Sequence, residues 1–170
     1  MTPIDARPPE VDARAVPGHW EGDPIVGAAS ASAIATTVER SSRFLLLGHL
    51  TGGRTADTVR DALVAQSTDL PDALRRSLTW DQNAERAEHR SFTTATGMSV
   101  LFCDAGSPWQ RGSNENTNGL LRQYLVKGTD LRVHDRDALQ RIADELNTRP
   151  RRSLDWDTPA ERVAALMDAS

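Results

Sequence analysis

The sequence predicts an α/β domain, a mixed sheet of five strands with helices on both faces. Three observations carry this reading. Runs rich in β-branched and aliphatic residues come first, at 19–26, 33–40 and 44–50, and read as strands. Segments with helical spacing then alternate with two further apolar runs, 77–81 and 98–103, which is the rhythm of βαβ units. The resulting order, β-β-β-α-β-α-β-α-α, falls within 170 residues, a length that suits one domain.

Each element has a local reason. The first 17 residues carry Pro3, Pro8, Pro9 and Pro17 among charges and alanines, and are expected to form a linker or disordered tail. The strand at 19–26 leads into small residues at 27–32, a turn. Ser41-Ser42-Arg43 joins 33–40 to 44–50 as a hairpin, and Gly52-Gly53 ends the unit. Thr55 is placed to cap a helix over 56–66, where Val59, Ala62, Leu63 and Gln66 recur at helical spacing. Residues 71–76 read as a turn or short helix. The strand at 77–81 ends on a carboxylate, and the helix at 87–96 stops at Gly97.

A polar loop at 104–113 precedes a helix expected over 114–125. Residues 138–147 are amphipathic through Leu139, Ile142, Ala143 and Leu146. Thr158-Pro159-Ala160-Glu161 opens the last helix with a capping box and proline at its first position. The core domain is expected over 18–130, with 131–170 as a C-terminal helical extension packed on it. Trp20, Trp80 and Trp156 read as core residues, Cys103 as a small buried hydrophobe, and His134 as surface.

Composition narrows the function. One cysteine rules out an intrachain disulfide, and His19, His49, His89 and His134 are scattered with no C-x-x-C pair, so a zinc ribbon or finger is excluded. No apolar run reaches the roughly 18 residues of a membrane span, and no leader pattern opens the chain, so a cytoplasmic protein without membrane partners is expected. The balance of 20 Lys+Arg against 24 Asp+Glu gives a net charge of −4, which argues mildly against a dedicated DNA clamp.

Three carboxylates lie on or at the ends of predicted elements. Asp23 is inside the first strand, Asp81 closes the fourth, and Glu115 opens a helix. Hard divalent cations want carboxylate oxygens and few protein ligands, and a pair of such ions serves phosphoryl transfer. The three acids converge if the first and fourth strands are neighbours; otherwise they are solvated charges, and spacing alone leaves both readings open. On the helix, Glu115, Asn118, Gly119 and Arg122 share one face, and Thr117, Leu120, Leu121 and Tyr124 the other. The apolar stripe can pack on the sheet while Glu115 points away from it. Equally, Glu115 can serve only as a charge at the positive end of its helix.

Longer strings carry more. Gly18-His19-Trp20-Glu21-Gly22-Asp23, Leu78-Thr79-Trp80-Asp81-Gln82, and the run 107–124 with its core Pro108-Trp109-Gln110-Arg111-Gly112-Ser113-Asn114-Glu115-Asn116 resemble the insertion-sequence-30 family of bacterial transposases. The 33 residues between Asp81 and Glu115 fit it, and Asn147-Thr148-Arg149-Pro150-Arg151 with Thr158-Pro159-Ala160-Glu161 resemble the segment that follows. The resemblance covers roughly residues 10–168. It implies a ribonuclease-H-like integrase catalytic core over 18–130. It also implies a catalytic and metal-binding triad of Asp23, Asp81 and Glu115 holding two Mg²⁺ or Mn²⁺ ions, which cuts DNA at transposon ends and joins them to target DNA. The expected partners are DNA and a second copy or a full-length transposase.

Expected DNA contacts are Arg111, Asn114, Asn118, Arg122, Lys127, Arg149, Arg151 and Arg152. Residues 106–152 hold nine basic and six acidic side chains, which favours that half as the DNA side. Trp109 reads as pinning its loop. Asp104, Glu85 and Glu88 read as loop or helix-start charges.

Three departures set an alternative beside this. Pro24 follows Asp23 where the family has a large aliphatic, and proline removes a ladder donor from a strand expected to be central. Asn83 replaces a glycine near Asp81. The N-terminal helix-turn-helix region that the resemblance implies is expected to be absent. The alternative is a truncated, catalytically impaired remnant that folds and at most binds DNA or a partner transposase. A ribonuclease acting on RNA–DNA hybrids fits the Asn114-Glu115-Asn116 helix start less well.

Overall fold

The computed structural model describes residues 2–3, 16–50, 55–80, 89–102 and 112–168, with 2–3, 30 and 112–115 described through their backbone. Six strands form one sheet: β1 (Thr2–Pro3), β2 (His19–Val26), β3 (Ala33–Glu39), β4 (Leu45–His49), β5 (Ser77–Trp80) and β6 (Ser99–Phe102), in the spatial order β1-β6-β5-β2-β3-β4. The five expected strands are all present. The sixth is a two-residue addition from the proline-rich N-terminal segment, where Thr2 and Pro3 pair in parallel with Leu101 and Phe102. It follows from a long-range pairing, to which local pattern is blind.

β2 is the pivot. It runs antiparallel to β3, with Trp20 opposite Glu39 and Val26 opposite Ala33, and parallel to β5, with His19 opposite Ser77 and Glu21 opposite Thr79. β3 and β4 form the hairpin, closed by a turn in which Arg43 takes a left-handed φ of 65°. Glu39 organises that turn: its buried carboxylate accepts from the backbone N–H of Ser42 at 2.7 Å and of Ser41 and Gly18 at 3.2 Å each. Three N–H donors satisfy a buried anion that would otherwise be costly.

Strand alternation sends the sheet's apolar side chains to two cores. On one face Trp20, Ala35, Leu78, Trp80, Val100 and Phe102 pack under α1 (Ala56–Thr68) and α2 (His89–Thr96), through Val59, Leu63 and Phe92. On the other, Ile25, Ile34, Val38 and Leu45 pack under α3 (Gly112–Leu121) and α4 (Arg136–Asn147), through Leu121, Leu139, Ile142 and Leu146. Leu125 and Leu131, from the connection between those helices, complete this second core. α5 (Pro159–Asp168) opens with the reciprocal box its sequence predicts: Glu161 N–H donates to Thr158 Oγ1 at 3.0 Å, and Thr158 N–H to Glu161 Oε2 at 2.8 Å.

Asn147 anchors α4 to the sheet. Its buried amide accepts from Leu45 N–H at 2.8 Å and donates to Leu45 C=O at 2.9 Å, so one side chain pairs the outer edge of β4 as a neighbouring strand would.

Trp156 corrects its expectation. It is 67% exposed, because it follows Asp155 into a turn where both residues have positive φ, 53° and 70°. The turn is closed by Trp156 N–H to Arg151 C=O at 2.8 Å, and Leu154 is its buried residue instead.

Candidate functional site

Asp23 lies on the face of β2 that α3 covers, half-buried and beyond the paired stretch of β5. The alternation along β2 also decides what Pro24 does. Arg40 N–H donates to His19 C=O at 2.8 Å, and Gly27 N–H to Ser32 C=O at 2.9 Å. Counting inward from both ends, Asp23 and Thr36 form a hydrogen-bonded pair, and Pro24 and Ala35 a non-hydrogen-bonded one. The nitrogen of Pro24 therefore faces away from β3, and the pairing with β5 runs only as far as Glu21 opposite Thr79. No bond of the β2–β3 ladder is lost to proline, contrary to the sequence expectation for a central strand.

Asp23 is held from two further directions. Asn118 of α3 donates its Nδ2 to Asp23 Oδ2 at 3.2 Å. Thr36 Oγ1 directs its one proton at two oxygens, the main-chain oxygen of Asp23 at 2.8 Å and Asn118 Oδ1 at 3.1 Å. A carboxylate only accepts, so the amide nitrogen of Asn118 must face Asp23 and its oxygen Thr36. Asn118, expected at the DNA, thus turns inward to Asp23. Thr36 was not singled out from the sequence, because it is one of two adjacent threonines in its strand and only the register puts it opposite Asp23.

Two residues before Asp23, on the same face, Glu21 is fully buried and paired with Arg40, itself 6% exposed. A charge so deeply placed needs such a partner. Next along that face, His19 Nδ1 is 2.7 Å from Ser77 Oγ. β2 therefore presents a polar row, His19, Glu21 and Asp23, toward α3, while its other face carries Trp20 into the apolar core.

The last residue of β5 packs on Gly22. A Cβ on Gly22 would come within 2.2 Å of Cε3 and Cζ3 of Trp80, so the indole stacks on bare backbone. Trp80 is the last residue of β5, and Asp81 follows it in the chain. Asp81 itself lies outside the described residues, as do Asn83, Glu85, Glu88, Cys103, Asp104, Trp109 and Arg111. Glu115 and Asn114 are in the first turns of α3, described through their backbone.

The remaining residues expected at DNA divide into two groups. Arg149 donates to Tyr124 Oη at 2.7 Å and lies 3.7 Å from Glu145, and Arg151 donates to Leu146 C=O at 3.2 Å. Burial, and then the charge of Arg149, lower the pKa of Arg151. Both guanidiniums thus hold the segment after α4 in place. Lys127 and Arg152 are exposed, and Arg122 is half-buried with a 3.4 Å bond to Leu125 C=O. α3 ends at Leu121, four residues short of its expected end, and Arg122 and Lys127 follow it in turns.

Among the described residues no three His, Cys, Asp or Glu side chains cluster as a metal site. Of the three candidate acids, Asp23 is the one with a described side chain. A carboxylate oriented by an amide at the edge of a buried polar row has the chemistry a hard divalent cation requires of a ligand.

Comparison with known proteins agrees with this architecture. A family model described as the integrase core domain matches residues 13–108. The transposase for insertion sequence element IS1086 of Cupriavidus metallidurans is 49% identical over 167 residues, which is 98% of this chain and 49% of that protein. Transposase InsI for insertion sequence element IS30A of Escherichia coli is 47% identical over 170 residues, 98% of this chain and 44% of that protein. The chain spans about half the length of these curated relatives. A chain of the simian T-cell lymphotropic virus intasome, solved in complex with PP2A regulatory subunit B56 gamma, superposes with a TM-score of 0.60 at 20% identity, over 78% of this chain and 49% of that one, and shows the fold. With a matching model over more than half its length and the sheet order described above, the chain belongs to the integrase core domain family, with a ribonuclease-H-like fold and IS30 transposases among its relatives.

Proposed function

We propose that this chain is the catalytic core of a DNA transposase, performing metal-dependent strand cleavage and strand transfer with Asp23, Asp81 and Glu115 as its acids. The observation that carries the reading is the parallel pairing of β2 and β5. Neighbouring strands run about 4.8 Å apart, and consecutive Cα atoms are 3.8 Å apart. Glu21 is opposite Thr79 in that pairing, so Asp23 and Asp81 are each two residues further along their chains. Glu115 is one helical turn before Asn118, which is bonded to Asp23. These relations support a reading in which acids distant in sequence converge near Asp23.

Three carboxylates form a hard oxygen donor set suited to two Mg²⁺ or Mn²⁺ ions. When bound, these ions activate the attacking oxygen and stabilise the leaving one. The chain's own part is to hold the acids still. In cleavage, water adds to a phosphodiester phosphorus and the bond to the 3′ oxygen breaks, freeing a 3′-hydroxyl. In joining, that hydroxyl adds to a target phosphodiester, displaces a second 3′ oxygen and keeps the number of ester bonds constant. Neither step needs a covalent link to the protein.

DNA is the partner in this reading, met by Lys127, Arg152 and Arg122 among the described residues, with Arg111 and Asn114 as further expected contacts. A second copy of the chain or a longer transposase completes the assembly. The test is conversion of supercoiled plasmid to open circles in Mn²⁺. Wild type nicks; Asp23→Asn, Asp81→Asn and Glu115→Gln do not, at unchanged metal-free melting temperature. Full nicking by any of the three removes that residue from the triad.

A further inference from the structure

The bonds around Asp23 join three elements that a metal-ligating acid would depend on. Thr36 is opposite Asp23 in the β2–β3 register, and Asn118 comes from the helix that carries Glu115. The Thr36 hydroxyl has one proton and two oxygens within reach, Asp23 C=O at 2.8 Å and Asn118 Oδ1 at 3.1 Å. The Asn118 amide in turn reaches Asp23 Oδ2 at 3.2 Å. Main chain and side chain of one acid are therefore tied, through two uncharged residues, to a neighbouring strand and to the covering helix.

We infer that Thr36 and Asn118 are positioning residues for cleavage and joining: together they fix the plane of the Asp23 carboxylate and its separation from the helix that bears Glu115. The inference rests on the triad reading. Charge balance explains why both residues are neutral. A lysine or arginine at 118 would bind Asp23 more tightly but would compete with a cation for the carboxylate. An amide orients it and leaves its charge intact. Thr36 acts at one remove. Its one proton is shared between Asp23 C=O and Asn118 Oδ1, and the share given to Oδ1 favours the amide orientation with nitrogen toward Asp23.

The experiment compares Thr36→Val, Thr36→Ser, Asn118→Ala and the double variant Thr36→Val/Asn118→Ala with wild type. It uses two readouts: the Mn²⁺ concentration for half-maximal plasmid nicking, and the Mn²⁺ concentration that half-saturates the thermal shift of the protein alone. Thr36→Val keeps the shape of the side chain and removes the hydroxyl; Thr36→Ser keeps the hydroxyl. Both midpoints are expected to rise about 10–100-fold in Thr36→Val and Asn118→Ala, the range typical of lost outer-shell partners. Thr36→Ser should stay within about twofold of wild type. The double variant should be no worse than the weaker single one, because both act through Asp23. Should Asn118→Ala not fold, Asn118→Ser takes its place.

Unchanged midpoints in Thr36→Val and Asn118→Ala overturn the inference. So does a Thr36→Ser variant as impaired as Thr36→Val, which would make the role one of packing. Nicking by Asp23→Asn at the wild-type rate would instead overturn the triad reading, and the two failures are distinct.

Discussion

The indole of Trp80 occupies the space that a side chain on Gly22 would need, with Cε3 and Cζ3 2.2 Å from where its Cβ would be. Both residues lie next to a candidate metal ligand, Gly22 before Asp23 and Trp80 before Asp81. Glycine inside a strand weakens it unless something must come close, and here an aromatic ring does. The absence of a side chain on Gly22 is what gives the indole its room.

Gly22→Ala is therefore expected to cost about 1–3 kcal/mol, the usual penalty of overpacking a tight core. It should also lower Mn²⁺-dependent nicking at least tenfold, because Trp80 cannot shift without moving its neighbour. Urea unfolding and the plasmid assay measure both. Adding Trp80→Leu should recover part of the stability of Gly22→Ala. A Gly22→Ala protein that unfolds and nicks like wild type would show that the two strands do not depend on this contact.

Pro24→Leu should change little, within about 0.5 kcal/mol in stability, and leave nicking as it was. The reason is the ladder: Pro24 belongs to a non-hydrogen-bonded pair with Ala35 and lies beyond the last pairing of β2 with β5. A gain in melting temperature of several degrees together with faster nicking would mean that proline does disturb Asp23.

Asn147→Leu should be among the costly single substitutions. It leaves the N–H and C=O of Leu45 without their partner in a buried place, at about 1–3 kcal/mol for each group left unsatisfied. Asn147→Asp keeps the acceptor and loses the donor, so it too should destabilise. Chemical denaturation of both variants checks this, and wild-type midpoints would contradict the role given to Asn147.

Trp156→Gly should not destabilise, and a gain of up to about 1 kcal/mol is expected, since glycine adopts positive φ freely. The side chain is 67% exposed and its φ is 70°. A large loss of stability would show that the indole packs against the molecule.

How far the sequence could be read follows from which interactions are local. The strand His19–Val26 and the box Thr158–Glu161 were legible because alternation and capping act over a few residues. Asp23 was legible as a candidate through its setting and the family resemblance. The pairing of Thr2–Pro3 with β6 was not, because it joins segments about a hundred residues apart. Trp156 read as core because a tryptophan is usually buried, and nothing in Asp155-Trp156 announces two consecutive left-handed residues. Asn118 shows the same limit at the site. An amide on the polar face of a helix can meet DNA or a neighbouring carboxylate, and only the register of β2, β3 and α3 selects Asp23. Gly22 was the available clue to Trp80, a glycine in mid-strand with no turn to explain it.

The central claim is that acids from β2, the end of β5 and the start of α3 form one metal site. Calorimetric titration of Mn²⁺ into the metal-free protein, wild type against Asp23→Asn, Asp81→Asn and Glu115→Gln, tests it most directly. The account predicts saturable binding by wild type and loss of at least about tenfold in affinity, 1.4 kcal/mol, in each variant. Three variants that titrate like wild type would contradict it.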